Sequence, residues 1–302
     1  MFSNLAIRMI AAAEIGGRKT FGRLAGIRRL AHGLVRQPSQ QQSPVALDEL
    51  KQAIIGLGIN EGDTLMVHSA WDGLRQLQAK PSQVIQMLES IIGPNGTMVM
   101  PTGPICGSRD GKLVYDVLKS PSSLGLLSES FRRLPDVKRS LFPAATVAAK
   151  GKKAELFLRD FRKESGNKAY GLGSPYWEMG VQNGRVLVLG IEVIRTLTLQ
   201  HCAFDVLGDD NPIANFYIDV DYIVISEGRE ENWTVRRPHP RLVNYLATVA
   251  FSKMIDRSGT CRKANLKGMK IALIDAKAFF DWHLPLARNF GWPYWGFKRA
   301  KK

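Results

Sequence analysis

Two histidines of this 302-residue chain follow strand-like apolar runs closely enough to lie near strand ends. His68, with Ser69 after it, comes directly after Thr64–Val67, and His201 closes the loop that leaves Val186–Ile191. An imidazole titrates near neutral pH, so it can take up or release a proton during a reaction. Ligands of open α/β sheets bind at the carboxyl ends of strands. Both histidines are therefore candidates for a functional site.

The elements that would position these residues alternate between strand and helix. Five short apolar runs, rich in β-branched residues, predict buried strands at Thr64–Val67, Thr97–Met100, Val186–Ile191, Tyr222–Ile225 and Ile271–Ile274. Helical spacing between the runs predicts helices over Pro81–Ile92, Ser123–Leu134 and Ala154–Arg162. This alternation is typical of an α/β layered domain whose sheet is buried on both faces.

The composition is that of a globular protein, with 45% hydrophobic and 23% charged residues. It excludes a disordered chain, a coiled coil and a collagen-like repeat. No apolar stretch approaches the 18 residues of a transmembrane span. The three cysteines are too few and too scattered for a disulfide framework or a zinc ribbon, which favours a reducing compartment and predicts no metal.

The net charge of +15 is unevenly distributed. Residues 1–47 carry seven cationic side chains and one acidic one, the last five residues carry four cations, and the intervening body holds only +5. An excess of positively charged side chains favours anionic partners. We therefore interpret the ends as docking segments and the body as suited to a small phosphorylated ligand. Nucleic acid is not expected, because no aromatic–basic alternation or recognised module is present.

The boundaries follow from this pattern. Residues 1–47 are interpreted as a basic amphipathic arm and linker, 48–297 as one domain and 298–302 as a basic tail. Within the arm, Phe21–Val35 has the spacing of an amphipathic helix. Three interpretations stay open for it: packing on its own domain or on a dimer partner, binding of residues 1–36 to an anionic membrane surface, or a mitochondrial-type transit peptide. The aromatic stretch Trp292–Trp295 is interpreted as a docked tail.

Five segments, in order and spacing, resemble the aminoglycoside 3-N-acetyltransferase family. They are LMVHSAWDGL at Leu65–Leu74, GPNGTMVMPT at Gly93–Thr102, GLLSESFRRLPDVKRS at Gly125–Ser140, GLGSPY at Gly171–Tyr176 and GRVLVLGIEVIRTLTLQH at Gly184–His201. The resemblance covers roughly residues 50–290. It implies a three-layer α/β/α sandwich around a central mixed sheet, and transfer of an acetyl group from acetyl-CoA to an amine of a sugar.

The resemblance also implies catalytic residues. His201 matches the family histidine and is expected to act as the base, with a packing histidine as the alternative. The family has a glutamate three residues after this histidine, and Phe204 stands there in this chain. Asp205, at i+4 on nearly the same helix face, is expected to take over the orienting role.

Several residues match family positions that contact CoA. His68 and Ser69 begin the first loop of the family site, with strand-end capping as the alternative. Thr102 is expected to line the same cleft, and Arg139 with Ser140 matches an Arg-Ser pair suited to phosphate. A surface salt bridge is the other interpretation of Arg139. Thr146 is the remaining candidate. Its hydroxyl is retained in a segment that lacks both histidines of the family pattern.

The predicted function is an acetyl-CoA-dependent N-acetyltransferase acting on an amino sugar. The basic body and the missing glutamate favour a glycan-biosynthesis amino sugar over a polycationic antibiotic. Two alternatives are kept: a catalytically impaired relative that acts as a scaffold, and a true aminoglycoside acetyltransferase of antibiotic resistance. The expected location is the cytoplasm, with the inner membrane face as the alternative, and an oligomer is compatible with the sequence.

Overall fold

The computed structural model describes residues 4–21 and 43–295. Its strands are β1 (Thr64–Ser69), β2 (Thr97–Pro101), β3 (Gly107–Arg109), β4 (Lys112–Asp116), β5 (Lys138–Arg139), β6 (Val147–Gly151), β7 (Arg185–Leu189), β8 (Tyr217–Ser226), β9 (Arg229–Pro238), β10 (Cys261–Leu266) and β11 (Met269–Asp275). Its helices are α1 (Asn4–Phe21), α2 (Leu47–Gly56), α3 (Pro81–Ile92), α4 (Leu126–Arg132), α5 (Ala154–Leu158), α6 (Arg162–Ser165), α7 (Pro175–Val181), α8 (Leu199–Leu207), α9 (Thr248–Ser258) and α10 (Ala276–Phe290).

Seven strands form a mixed sheet in the order β10-β11-β7-β1-β2-β6-β5. The three central strands, β7, β1 and β2, are parallel, and the flanking strands are antiparallel. The central strands are buried on both faces, which explains why their sequences are continuous apolar runs rather than alternating ones.

Each face of the sheet carries its own core. Alternate residues of β1 separate them, since Leu65 and Val67 pack with α2, α3 and α4 while Met66 packs with α7 to α10. The side chains of a strand alternate between faces, so one apolar run supplies both cores. The expected three-layer α/β/α sandwich around a mixed sheet is confirmed.

A second sheet, in the order β3-β4-β8-β9, was not expected from the sequence. The strand predicted at Tyr222–Ile225 belongs to it rather than to the main sheet. Tyr222 and Val224 pack in the same core as Met66, so this sheet extends the α7–α10 side of the molecule.

The helix predictions differ in accuracy. Pro81–Ile92 forms α3 with the predicted bounds, because Pro81 fits the first turn and Gly93, at φ 65°, ends the helix. The helix expected over Ala154–Arg162 is broken into α5 and α6, since Arg159 is extended and the Asp160 carboxylate accepts the Arg162 N–H. The helix expected over Ser123–Leu134 is shorter and forms α4.

The first described helix, α1, packs on the domain. Ile7, Ala11 and Ile15 are buried in the core that contains α9. The helix expected over Phe21–Val35 and the basic tail 298–302 lie outside the described residues. Within the described ranges, no helix has the length and apolarity needed to cross a membrane.

Candidate active site

A cleft of about 570 Å³ opens at the carboxyl ends of the parallel strands. Its walls come from residues 67–72 at the end of β1, from Pro101 in β2, from the start of α4 and from the segment after β7. The edge of the sheet predicted to hold a site therefore carries a cavity. Two of the sequence-predicted residues, His68 and Ser69, line it.

Two glycines let the walls of the cleft approach each other. A Cβ on Gly73 would lie 1.8 Å from the carbonyl oxygen of Gly190, so the turn after β1 rests directly on the end of β7. Gly190 also has φ 71°, a left-handed conformation that favours glycine. Close backbone contact at this point fixes the relative position of the two strand ends.

His68 is buried and held by two threonines. Its Nδ1 lies 3.1 Å from Oγ1 of Thr196, and its Nε2 lies 3.3 Å from Oγ1 of Thr198. Burial lowers the pKa of His68 to about 4, so the ring is neutral at physiological pH. His68 thus ties the β1 end of the cleft to the start of α8, and its contact with CoA stays a prediction.

The Arg139 guanidinium is occupied within the protein. It donates to the hydroxyl and the carbonyl of Thr102 and to the carbonyl oxygens of Val117 and Ser120, the last at 2.6 Å. Thr102 is fully buried and is not part of the cleft wall. Arg139 therefore holds two loops together and does not form the surface salt bridge of the alternative interpretation. The contact of Arg139 and Thr102 with CoA stays a prediction.

Ser140 and Thr146 are likewise engaged inside the fold. The Ser140 hydroxyl accepts the Val147 N–H at 3.1 Å, and the Thr146 hydroxyl donates to the carbonyl oxygens of Phe142 and Pro143. Both side chains are buried and lie outside the cleft lining. Their expected contact with CoA stays a prediction.

His201 lies on α8, one helical turn after Thr198. Its Nδ1 is 2.9 Å from the hydroxyl of Tyr294, and its ring packs on Tyr170 with 5.1 Å between centroids. Burial lowers the pKa of His201 to about 4, so the ring is a neutral acceptor at pH 7. His201 is not one of the residues that line the cleft. Its backbone N–H donates to the carbonyl oxygen of Thr198 at 3.0 Å, and the Thr198 hydroxyl contacts His68 in the cleft wall.

The expected pairing of Asp205 with His201 is wrong. The Asp205 carboxylate accepts the backbone N–H of Tyr170 at 2.7 Å and the hydroxyl of Tyr217 at 2.9 Å, which uses one oxygen for each bond. Position i+4 is displaced by about 40° around a helix, and here that angle turns Asp205 toward the Tyr170 loop. Burial raises the pKa of Asp205 to about 7.

Comparison with known proteins decides the family. The profile of the aminoglycoside 3-N-acetyltransferases matches residues 66–286, which include both His68 and His201. This chain belongs to the aminoglycoside 3-N-acetyltransferase family. The resemblance drawn from the five sequence segments is confirmed.

Aminoglycoside N(3)-acetyltransferase IV of Salmonella sp is 36% identical over 145 residues, which are 47% of this chain and 52% of that protein. Aminoglycoside N(3)-acetyltransferase VII of Streptomyces paromomycinus is 28% identical over 222 residues, which are 66% of this chain and 72% of that protein. The chain thus aligns with about half of the first relative's length. A solved structure, AAC-IIIb binary with CoASH, has a TM-score of 0.67 at 25% identity and covers 83% of this chain and 99% of that chain.

Phe204, at the position of the family glutamate, lies in an aromatic cluster. Its ring is fully buried, stacks on Phe216 at 5.1 Å and meets the edge of Tyr294 at 5.0 Å. A carboxylate at this position would be desolvated without a partner. Phe204 therefore contributes packing that holds the Tyr294 ring beside His201.

Sequence reasoning missed Tyr294, Tyr170 and Arg195. Arg195 lines the cleft, and Tyr294 comes from the aromatic stretch that was interpreted as a docked tail. The tail is indeed docked, since Trp292 and Tyr294 are buried and Tyr294 bridges to Leu246. The high density of aromatic residues in Trp292–Trp295 is the local sequence signal for the contact between Tyr294 and His201.

Across residues 4–21 and 43–295, no group of three or more His, Cys, Asp and Glu side chains is placed to hold a metal ion.

Proposed function

We propose that this chain is an acyl-CoA-dependent N-acetyltransferase that transfers acetyl from acetyl-CoA to an amine of an amino sugar. The observation that carries the proposal is the chain of contacts from the cleft to His201, through His68 and Thr198. These contacts link His201, whose imidazole is neutral, to His68 in the cavity wall, in a chain that matches the acetyltransferase family over residues 66–286. The CoA complex of AAC-IIIb supports CoA as the acyl carrier.

The reaction needs one proton acceptor. The acceptor nitrogen attacks the thioester carbonyl, the new C–N bond forms, and the C–S bond breaks to release the CoA thiol. The nitrogen loses a proton in this exchange, and Nε2 of His201 is the atom proposed to take it. Because the imidazole is neutral at pH 7, it is in the protonation state that this step requires.

We further propose that the acceptor is less cationic than an aminoglycoside antibiotic. A polycationic substrate needs a wall of carboxylates, and the charged side chains lining the cleft are one acid, Asp72, and one base, Arg195. Asp72 is itself paired with Arg75 at 2.8 Å. This balance supports an amino sugar of low positive charge.

A second candidate is a CoA-binding protein without transferase activity. It is favoured by Phe204 in the glutamate position and by the Asp205 carboxylate, which faces away from His201. The two candidates agree on CoA binding and differ on turnover.

Thiol release from acetyl-CoA, measured with each of a panel of amino sugars, nucleotide-linked amino sugars, kanamycin and gentamicin, tests both candidates. We expect turnover with at least one amino sugar, and loss of it by at least 100-fold in His201→Gln while CoA affinity by calorimetry is unchanged. His239→Gln, which removes a histidine whose ring accepts only a local N–H from Arg241, is the matched control. CoA binding with no turnover on any acceptor would favour the binding protein, and turnover restricted to the antibiotics would overturn the acceptor proposal.

A further inference from the structure

A second cavity of about 370 Å³ lies at the other end of α8, away from the cleft that holds His68. We call it the Lys168–Arg236 pocket. The carboxyl end of α8, the turn before β8 and the outer strand β9 form its walls. Its polar lining residues are Lys168, Asn211, Asn215, Tyr217, Asp219 and Arg236.

Its two cations are held side by side by the backbone. Lys168 and Arg236 face each other in a parallel β-bridge, flanked by hydrogen bonds from Ala169 N to Arg236 O at 3.2 Å and from Arg236 N to Asn167 O at 2.8 Å. Like charges directly opposite each other on neighbouring strands destabilise a fold. The repulsion is relieved if an anion binds between the two side chains.

The protein itself neutralises this pair incompletely. The Lys168 ammonium donates to the carbonyl oxygen of Asp205 at 3.3 Å and lies 5.6 Å from the ring centre of Tyr217, and neither group carries a full negative charge. Arg236 meets one carboxylate, that of Asp219 at 3.4 Å, and both of these side chains are about half exposed. Among the described lining residues, two cations therefore face one acid.

The floor of the pocket is connected to the candidate base. Tyr217 donates its hydroxyl to Asp205, and Asp205 accepts the N–H of Tyr170, whose ring packs on His201. The seven residue steps from His201 to Gly208 rise about 10 Å along α8. A sugar that carries a diphosphate can span this distance, with its amine at one end and its phosphates at the other.

We propose that the Lys168–Arg236 pocket binds phosphate groups, and that these belong to the amino-sugar acceptor. Lys and Arg are the usual cationic partners of phosphate oxygens, and the amides of Asn211 and Asn215 offer further donors. The assignment to the acceptor rests on the proposed transferase function, whereas phosphate binding itself does not.

The binding step is tested with inorganic pyrophosphate by calorimetry on the full chain. We expect binding that weakens at least 10-fold in the Lys168→Met/Arg236→Met double variant and strengthens in Asp219→Asn, which removes the competing carboxylate. Lys163→Met, which removes an exposed lysine of α6, is the matched control and should bind like wild type. If Lys168→Arg retains its affinity for pyrophosphate, binding depends on the positive charge at this position rather than on the fold of the segment.

The acceptor step is tested by kinetics with the same variants. For a nucleotide diphosphate amino sugar, the double variant should raise KM at least 10-fold with little change in kcat, and KM for acetyl-CoA should stay the same. KM for a phosphate-free amino sugar should also stay the same.

The outcomes separate the two proposals. If the double variant loses thermal stability but binds pyrophosphate as wild type does, Lys168 merely caps α8 and the pocket proposal is overturned. If acetyl-CoA affinity falls with that of pyrophosphate, the pocket holds CoA phosphates and the assignment to the acceptor is overturned. Pyrophosphate binding without any acyl transfer would leave the pocket in place and remove the proposed transferase function.

Discussion

Nδ1 of His201 lies 2.9 Å from the hydroxyl of Tyr294, a residue 93 positions further along the chain. In the imidazolium both ring nitrogens carry hydrogen, so the phenolic oxygen accepts a hydrogen bond when His201 takes up a proton. We therefore propose Tyr294 for the orienting role expected of Asp205, with a neutral oxygen in place of a carboxylate. A neutral partner stabilises the cation less than a carboxylate does, in keeping with the lowered pKa of His201.

Tyr294→Phe should lower kcat/KM about 10-fold, because it removes a hydrogen bond to the protonated ring while leaving the aromatic packing in place. The pKa of His201 should fall as well, since burial then acts without this partner. Nitrogen-15 NMR titration of the histidine ring measures that pKa and its tautomer without any assay of activity.

Tyr222→Phe is the control for this change, since it removes a hydroxyl that bonds to Arg237 instead. An unchanged kcat/KM and an unchanged His201 titration in Tyr294→Phe would show that the contact is only packing. The other groups next to the ring, which must be held constant, are Tyr170 and His283.

Phe204→Glu restores the family residue and should nevertheless destabilise the protein by about 3–5 kcal/mol. The carboxylate would be buried against Phe216 and Tyr294 with no cation to meet it. Urea unfolding measures the loss, with Phe204→Leu as the apolar control that should lose less. A Phe204→Glu protein as stable as wild type, with higher turnover, would show that a carboxylate fits beside His201 after all.

The sequence was sufficient to predict β1, β2, β7 and β11 of the main sheet, because these strands are buried and read as unbroken apolar runs, but it did not predict β5, β6 and β10. The second sheet could not be predicted this way. Its outer strand, β9, alternates exposed charged residues with the buried Trp233 and Val235, so its apolar content is too low to form a run. Strand β4 of the same sheet contains only one fully buried residue, Tyr115.

The partner of His201 could likewise not be predicted from local sequence spacing. The match of its segment to a family motif indicates His201 as a site residue. Helical spacing, however, indicates a partner only one turn away, at Asp205. Spacing places Asp205 near His201 and does not indicate that the Tyr170 N–H and the Tyr217 hydroxyl each donate to one of its carboxylate oxygens. The partner that is found, Tyr294, is brought in by tertiary packing of the tail, which no local pattern encodes.

Asp205 should make stability depend on pH. Burial raises its pKa to about 7 from an ordinary value of 3.8, so the native carboxyl keeps its proton where the unfolded chain has released it. The contribution of Asp205 to the free energy of unfolding is therefore highest below about pH 4. It falls by up to about 1.4 kcal/mol per pH unit until about pH 7.

Asp205→Asn should flatten this fall, although it lowers stability at every pH because the amide nitrogen cannot accept a hydrogen bond. Urea unfolding at half-unit steps from pH 4.5 to 7.5 gives the slope for each variant. Asp281→Asn, which changes a carboxylate 64% exposed, should leave the slope unaltered. Equal slopes in wild type and Asp205→Asn would mean that Asp205 ionises as freely in the native state as in the unfolded chain.

Glu14 anchors α1 to the start of α9, and its removal should test how far that helix contributes to folding. Its carboxylate accepts the backbone N–H groups of Thr248 and Val249, both at 2.9 Å, and also pairs with Arg18 at 2.7 Å. These N–H groups belong to the first turn of α9, where the helix itself supplies no acceptor and a negative charge is favoured.

Glu14→Ala should therefore cost about 1.5–3 kcal/mol, the range for hydrogen bonds to a charged group. Glu14→Gln, which keeps one carbonyl acceptor, should lose roughly half as much. Thermal unfolding and urea titration measure both, with Arg8→Ala on the exposed face of the same helix as the control. Kinetic constants for acyl transfer should not change in any of these variants, because Glu14 contacts neither His201 nor the cleft lining. Equal stability of Glu14→Ala and Arg8→Ala would show that the capping bonds contribute nothing and that α1 is held by Ile7, Ala11 and Ile15 alone.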